Sequence, residues 1–300
     1  MIIQSRYSAV LAVLGALGCL CANPARAAVI VSVTGNVAHA QISLANGANT
    51  YDAEVTITFD TPLNLDAQSL NLTAELVNPN DPILTARFAN VAGVVVDPAF
   101  PMMITVEPPN LGWLFKTNFD GNEDGTGMLS FLNDYQVEIH TANLTFVQNS
   151  RYRILKAPVG GLFGDITEDV LSGSVRTRGR GGAFSQFVVV EDNRLVLTVV
   201  LGKIVDLDVR ILAAALNNVL QGDLLGLLSQ VQLLVLLDVG AAISALDELI
   251  LEIQIGATNG DIANVWQADH SVTNDAGEML SLAKTLRFSL VRLQGGASNP

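Results

Sequence analysis

The chain has 300 residues, half of them hydrophobic, with 16 Lys plus Arg against 29 Asp plus Glu and a formal charge of −13. That composition describes a globular protein able to bury a sizeable core and excludes the disordered and fibrous classes. The acidic balance argues against nucleic acid or an anionic membrane surface as a general partner.

Residues 1–27 carry Arg6 in a short basic region, an apolar run from Ala9 to Ala22, and Ala25-Arg26-Ala27 as a small-x-small site. This is the pattern of a secretory signal peptide, and it predicts export to periplasm or medium with Ala28 as the mature N-terminus. The apolar run is shorter than the roughly 20 residues of a spanning helix, so the processed chain is not expected to be transmembrane. Ala16-Leu17-Gly18 is a poor lipidation signal before Cys19. Processing removes both cysteines and leaves 14 basic against 29 acidic residues. A cysteine-free exported chain is held by its core alone, which about 270 residues can supply.

From Val29 to about Val200 the apolar period is mostly two, with frequent Gly, Pro, Asn and Asp. In Tyr51 to Phe59 apolar and polar residues alternate, giving one buried and one wet face. Val37 to Leu44, Leu70 to Val77, Met103 to Val106, Gln136 to Thr145 and Phe184 to Val190 read as further strands. Many short strands with turn signals between them predict an antiparallel β-sandwich over 28–201, as one unit or two with a break near 108–110 at Pro108-Pro109.

After Lys203 the period becomes helical, with Ile204, Leu207, Ile211, Ala215 and Val219 on one stripe. Asp223 predicts the cap of a second helix running to about Leu237, Asp238 that of a third running to about Ile255, and Asn274 or Asp275 the start of a fourth. Short connections make these an up-and-down helical bundle over 202–294, followed by a tail at 295–300. Trp266 is expected to pin the long linker 256–273 to the bundle. The fold class is therefore α+β. Leu224 to Leu237 holds ten apolar residues in 14, more than one face requires, which predicts a buried central helix first and a self-association surface second.

Asp120, Asn122, Asp124 and Thr126 alternate in a Gly-rich segment and match the first half of a calcium loop. Phe131 stands where the closing carboxylate belongs, so Glu123 or Asp134 would have to complete the shell. The alternative is a hairpin turn, since Asp, Asn and Gly are good turn formers. No zinc spacing, nucleophile elbow, phosphate loop or dinucleotide fingerprint occurs. Glu138 and His140 share one strand face, where a carboxylate beside an imidazole suits a base or a metal, or simply a cross-face contact. Arg151, Arg153, Lys156, Arg176, Arg178 and Arg180 gather six basic residues in 30 positions. Alternation puts Arg176, Arg178 and Arg180 on one face, where they would bind an anion or pair with Asp165, Glu168 and Asp169.

The segments ITVEPP at 104–109, VEIHTANL at 137–144, LKAPVGGLFGDIT at 155–167, GSVRTRGRGGAFSQF at 173–187, VW at 265–266 and KTLRFSL at 284–290 together resemble a family of secreted proteobacterial proteins of unknown function. The family pattern has Ser-Glu-Phe where this chain has Ser185-Gln186-Phe187. The resemblance implies export and the β-then-α order, and it brings no activity, cofactor or site residue. Three functions stand open on these readings: an exported non-enzymatic binding or envelope-associated module, a hydrolase assembled from distant residues, and a calcium-stabilised surface protein.

Overall fold

The computed structural model describes residues 28–110 and 128–295. Alternation sets the first antiparallel sheet. Its strands are β1 (Ala28–Thr34), β2 (Val37–Asn46), β3 (Asn49–Leu63), β7 (Ser130–Thr145), β10 (Thr167–Leu171) and β11 (Ser174–Gly181), in the order β1-β2-β3-β7-β11-β10. In β3 the residues Ala53, Val55, Ile57 and Phe59 are buried while Asp52, Glu54 and Asp60 are exposed.

The second sheet holds β4 (Leu72–Leu76), β5 (Val94–Val96), β6 (Met102–Val106), β8 (Tyr152–Ala157), β9 (Gly164–Asp165) and β12 (Gln186–Asp192). Here β12 is apolar without alternation because both of its faces are covered. Phe187 and Val189 join Ile57, Phe59, Val137, Ile139 and Ile104 in a cluster shared by the two sheets. Val188 and Val190 face a separate cluster with Leu84, Phe88, Val91 and Phe163.

Pairing β3 with β7 and β6 with β12 builds each sheet from strands on both sides of Pro108-Pro109. Those prolines therefore lie between a strand of one sheet and a strand of the other. Leu70, expected in a strand, closes the short helix α1 (Ala67–Leu70), because Asp66 and Ser69 form a reciprocal capping box there. The short helix α2 (Pro82–Ala86) carries Pro82 in its first turn behind the Asp81 cap.

Four long helices follow: α3 (Val196–Ala213), α4 (Asn218–Leu234), α5 (Val239–Asn259) and α6 (Asp275–Gln294). The first begins before Lys203. Val196, Val199 and Val200 read as β-branched strand residues, yet they fall at helical spacing and are buried. The second begins at Asn218 rather than at Asp223. Asn217 caps it by accepting from the main-chain N–H groups of Val219 and Leu220, and it ends the stripe expected to run through Val219. Asp238 caps α5 and Asn274 caps α6, as their positions predict.

The central burial expected for 224–237 is not found. Leu224, Leu228, Val231 and Val235 are buried, but Leu233, Leu236 and Leu237 are 71, 72 and 81% exposed. The interior helix is α6, which packs on α3 and α5 and lays its other side on β7, β10 and β11; α4 touches only α3 and α5 strongly. Small residues make this position possible, since Ala276, Gly277, Ser281, Ala283 and Ser289 are all buried in α6. Trp266 is also placed differently. It lies in β13 (Val265–Gln267), which pairs with β7, and it stacks on Phe131 at 5.1 Å, so the linker is pinned to the first sheet.

Candidate functional site

Strand register gathers the polar residues of the first sheet into rows on its outer face. Glu54, His140 and Arg176 form one row across β3, β7 and β11; Thr56, Glu138 and Arg178 form the next; Thr58, Gln136 and Arg180 form a third. Glu138 and His140 do share a face, but they do not pair with each other. Glu138 accepts from Arg178 Nε at 2.5 Å, while His140 Nδ1 lies 2.9 Å from Glu54 Oε2. The other imidazole nitrogen, Nε2, contacts Ser174 Oγ. Glu54 therefore favours the tautomer whose Nδ1–H faces it and whose Nε2 accepts from Ser174. Ser174 follows Gly173, whose φ is +111°, at a register shift where β11 meets β7.

The third row opens into a cleft of about 600 Å³ between the first sheet and the helices α5 and α6. Asp134 sits at its base, 6% exposed, and accepts from Lys284 Nζ at 3.0 Å and Arg180 Nη1 at 3.1 Å. Arg180 also donates through Nε to Glu168 at 2.6 Å. Burial disfavours the Arg180 cation, yet Asp134 and Glu168 more than offset this and raise its pKa. At the rim Asn133 adopts φ +56° and donates to Asp60 at 2.5 Å. Arg180 and Lys284 are thus paired with carboxylates, Asp60 has a neutral partner in Asn133, and Asn36, Thr58, Gln136, Gln254 and Thr258 add neutral polar lining.

Of the three arginines read as an anion site, Arg178 and Arg180 hold carboxylates, and Arg176 is exposed with no carboxylate partner among the described residues. The glycines beside them do not leave room for a ligand. A Cβ on Gly179 would meet Ile154 and Ile166 at 2.8 Å, and one on Gly181 would meet the Tyr135 hydroxyl at 2.5 Å. The calcium candidates Asp120, Asn122, Asp124 and Thr126 lie outside the described residues. Asp134, read as one of two residues that could close that loop, has both oxygens accepting from cations, Lys284 and Arg180. Among the described residues no group of three or more His, Cys, Asp or Glu could hold a metal ion.

Sequence reasoning missed Glu54 and Ser174 as partners of His140. Alternation gives the face of each side chain but not the register that brings three strands into line.

These features define an α+β protein in which two antiparallel sheets precede the long helices and a polar cleft with paired cations lies where the first sheet meets them. The chain belongs to DUF6689, a family of unknown function whose model matches residues 15–294. No curated protein and no solved structure matches it. No helix among the described residues is long and apolar enough to cross a membrane.

Proposed function

We propose that the protein is an exported, non-enzymatic binding module, a β-sandwich carrying a helical bundle, whose ligand is a small neutral polar molecule such as a sugar or polyol. Export rests on the basic, apolar and small-x-small order of residues 1–27. The observation that carries the ligand class is the cleft of about 600 Å³ whose cations, Arg180 and Lys284, are both held by carboxylates while amide and hydroxyl groups line the free surface. A neutral polar ligand exchanges hydrogen bonds with such a wall, which offers an anionic ligand no unpaired cation. The exposed Leu233, Leu236 and Leu237, at and just beyond the end of α4, offer the same protein an assembly surface.

Titration calorimetry against a panel of neutral sugars and polyols tests this reading. A binder should emerge whose affinity falls at least tenfold in Gln254→Leu and Thr258→Val, with unfolding temperatures near that of the wild type. If no panel member binds, or if binding ignores both substitutions, the cleft is not the site.

A second reading, a hydrolase, is favoured by one observation, the Glu54–His140–Ser174 chain. In it Ser174 Oγ would attack an ester carbonyl while its proton passes to His140 Nε2, and Glu54 would stabilise the imidazolium. The leaving alcohol would take that proton, and water would then release the acid. Glu54 is 65% exposed on an open sheet face, so water screens the pair, which ranks this reading second. Treatment with a fluorophosphonate decides it. Covalent phosphonylation of Ser174 that is lost in His140→Gln supports the hydrolase, and an unlabelled wild-type chain ends it.

A further inference from the structure

A separate cleft of about 350 Å³ lies further along α6, where it meets β8 and the start of α3. Arg151, Arg153, Arg194 and Arg292 line it, against the single carboxylate of Asp192 among its lining residues. Four guanidinium groups around one carboxylate are a sharp local reversal in a chain of formal charge −13.

Two of the four are already matched. Arg194 grips Asp192 with two contacts, Nε to Oδ1 at 2.9 Å and Nη2 to Oδ2 at 2.7 Å. Arg151 reaches Glu191 at 3.3 Å and the Asn193 side-chain oxygen at 2.8 Å.

The other two have no carboxylate partner among the described residues. Arg153 is only 2% exposed, and its Nη1 donates to the main-chain oxygens of Ser150 at 2.9 Å and Tyr152 at 2.5 Å. The guanidinium carbons of Arg153 and Arg292 stand 5.7 and 5.9 Å from the centre of the same Phe288 ring. Carbonyl dipoles and a ring face offset part of the cost of desolvating such charges, but neither supplies a counter-charge. Burial accordingly lowers the pKa of Arg292. An anion between these side chains would supply what the fold leaves out.

We propose that this cleft is an anion site that takes a phosphate or sulfate group, free or as the ester of a small molecule, recognised by Arg153 and Arg292. The planar guanidinium fork presents paired N–H donors that match a tetrahedral oxyanion, and groups on several sides of the cleft suit its several oxygens. Asn149 and Ser289, also in the lining, add neutral hydrogen-bonding groups.

The test is calorimetric titration and thermal unfolding of the purified chain at low salt with inorganic phosphate, inorganic sulfate and a hexose phosphate. At least one should raise the unfolding temperature by several degrees and bind Arg292→Gln at least tenfold more weakly. Arg153→Met removes an unpaired buried charge, so it should unfold no lower than the wild type in anion-free buffer and should lose the response. Should Arg153→Met fail to fold, the partly exposed Arg292→Gln carries the test. Stabilisation by the free anions assigns the oxyanion itself, and stabilisation by the hexose phosphate alone assigns an ester. The proposal is overturned if all three leave the unfolding temperature where chloride of equal ionic strength leaves it, if they stabilise wild type and Arg292→Gln alike, or if malonate does as well as phosphate.

Discussion

Asp165→Asn is expected to lower the unfolding free energy by about 3–5 kcal/mol, the loss that follows when one partner of a buried ion pair is removed. Lys203, 3% exposed, lies 3.3 Å from Asp165 and donates to the Thr285 carbonyl at 3.1 Å. Arg194 reaches the same carboxylate at 3.4 Å. These contacts join β9 to α3 and α6, so the network ties the second sheet to the helices. With Asn at 165 the Lys203 ammonium stays buried while its counter-charge is gone. Stabilities of whole domains are about 5–15 kcal/mol, so this one change consumes a large part of the total. Replacing both groups, as Asp165→Asn with Lys203→Met, should cost less than the single change, because no isolated charge then remains in the core. Urea unfolding of the wild type and the two variants measures the difference. A single variant as stable as the wild type would show that the pair is not a tie.

The same pair sets an acid limit. Burial disfavours the Asp165 carboxylate, but Lys203, Arg194 and the Thr167 hydrogen bonds outweigh that, and its pKa is lowered. A carboxyl with a depressed folded-state pKa gives stability that is fully present above its unfolded value of about 3.9 and is lost as the pH falls through the folded value. Wild-type stability should therefore drop below about pH 4 more steeply than that of Asp165→Asn, which has no proton to take up at this position.

The strands were legible wherever one face is wet. Val37 to Leu44 and Tyr51 to Phe59 alternate because water covers their polar side, and β2 and β3 contain them whole. The sequence is less clear where both faces are buried or where a cap decides the boundary. Val196 to Val200 reads as the end of a strand, although the spacing of Val196, Val199 and Val200 puts them on one helix face. In α4 the density of leucine suggested a central helix, yet leucine count does not tell how many sides are covered. The small residues of α6 were the better sign, because only a helix approached closely on several sides benefits from Ala276, Gly277, Ala283 and Ser289. Of the sites, the common face of Glu138 and His140 followed from period two, and Arg151 with Arg153 stood out as basic residues close together. Their partners did not, because Glu54, Ser174 and Arg292 are 86, 34 and over a hundred residues away and only the tertiary register brings them near.

Gly182→Ala is expected to be a strongly damaging single-methyl change. A Cβ at this position would stand 2.3 Å from the Glu278 amide nitrogen and 2.4 Å from the Gly277 carbonyl carbon. Both are backbone atoms of the first turn of α6, so no flexible side chain can yield and the helix itself must move. The same contact is fixed by Asn274, which donates through Nδ2 to the Gly182 oxygen at 2.9 Å and the Asn133 oxygen at 2.6 Å. Displacing α6 would loosen these bonds and open the packing of Met279 and Leu286 together. Overpacking costs about 1–3 kcal/mol and sometimes more, and a clash with backbone at a helix start belongs at about 3 kcal/mol or above. The contrast is Gly226→Ala in the exposed interior of α4, where a Cβ meets nothing within 4 Å. There the added methyl only narrows the freedom of the unfolded chain and restores helix propensity, for a gain of about 0.5–1 kcal/mol. Calorimetric unfolding of the two variants should move in opposite directions from the wild type. If Gly182→Ala unfolds at the wild-type temperature, α6 does not lie against the β11 end as closely as the geometry requires, and the close-packed junction between sheet and helices is wrong.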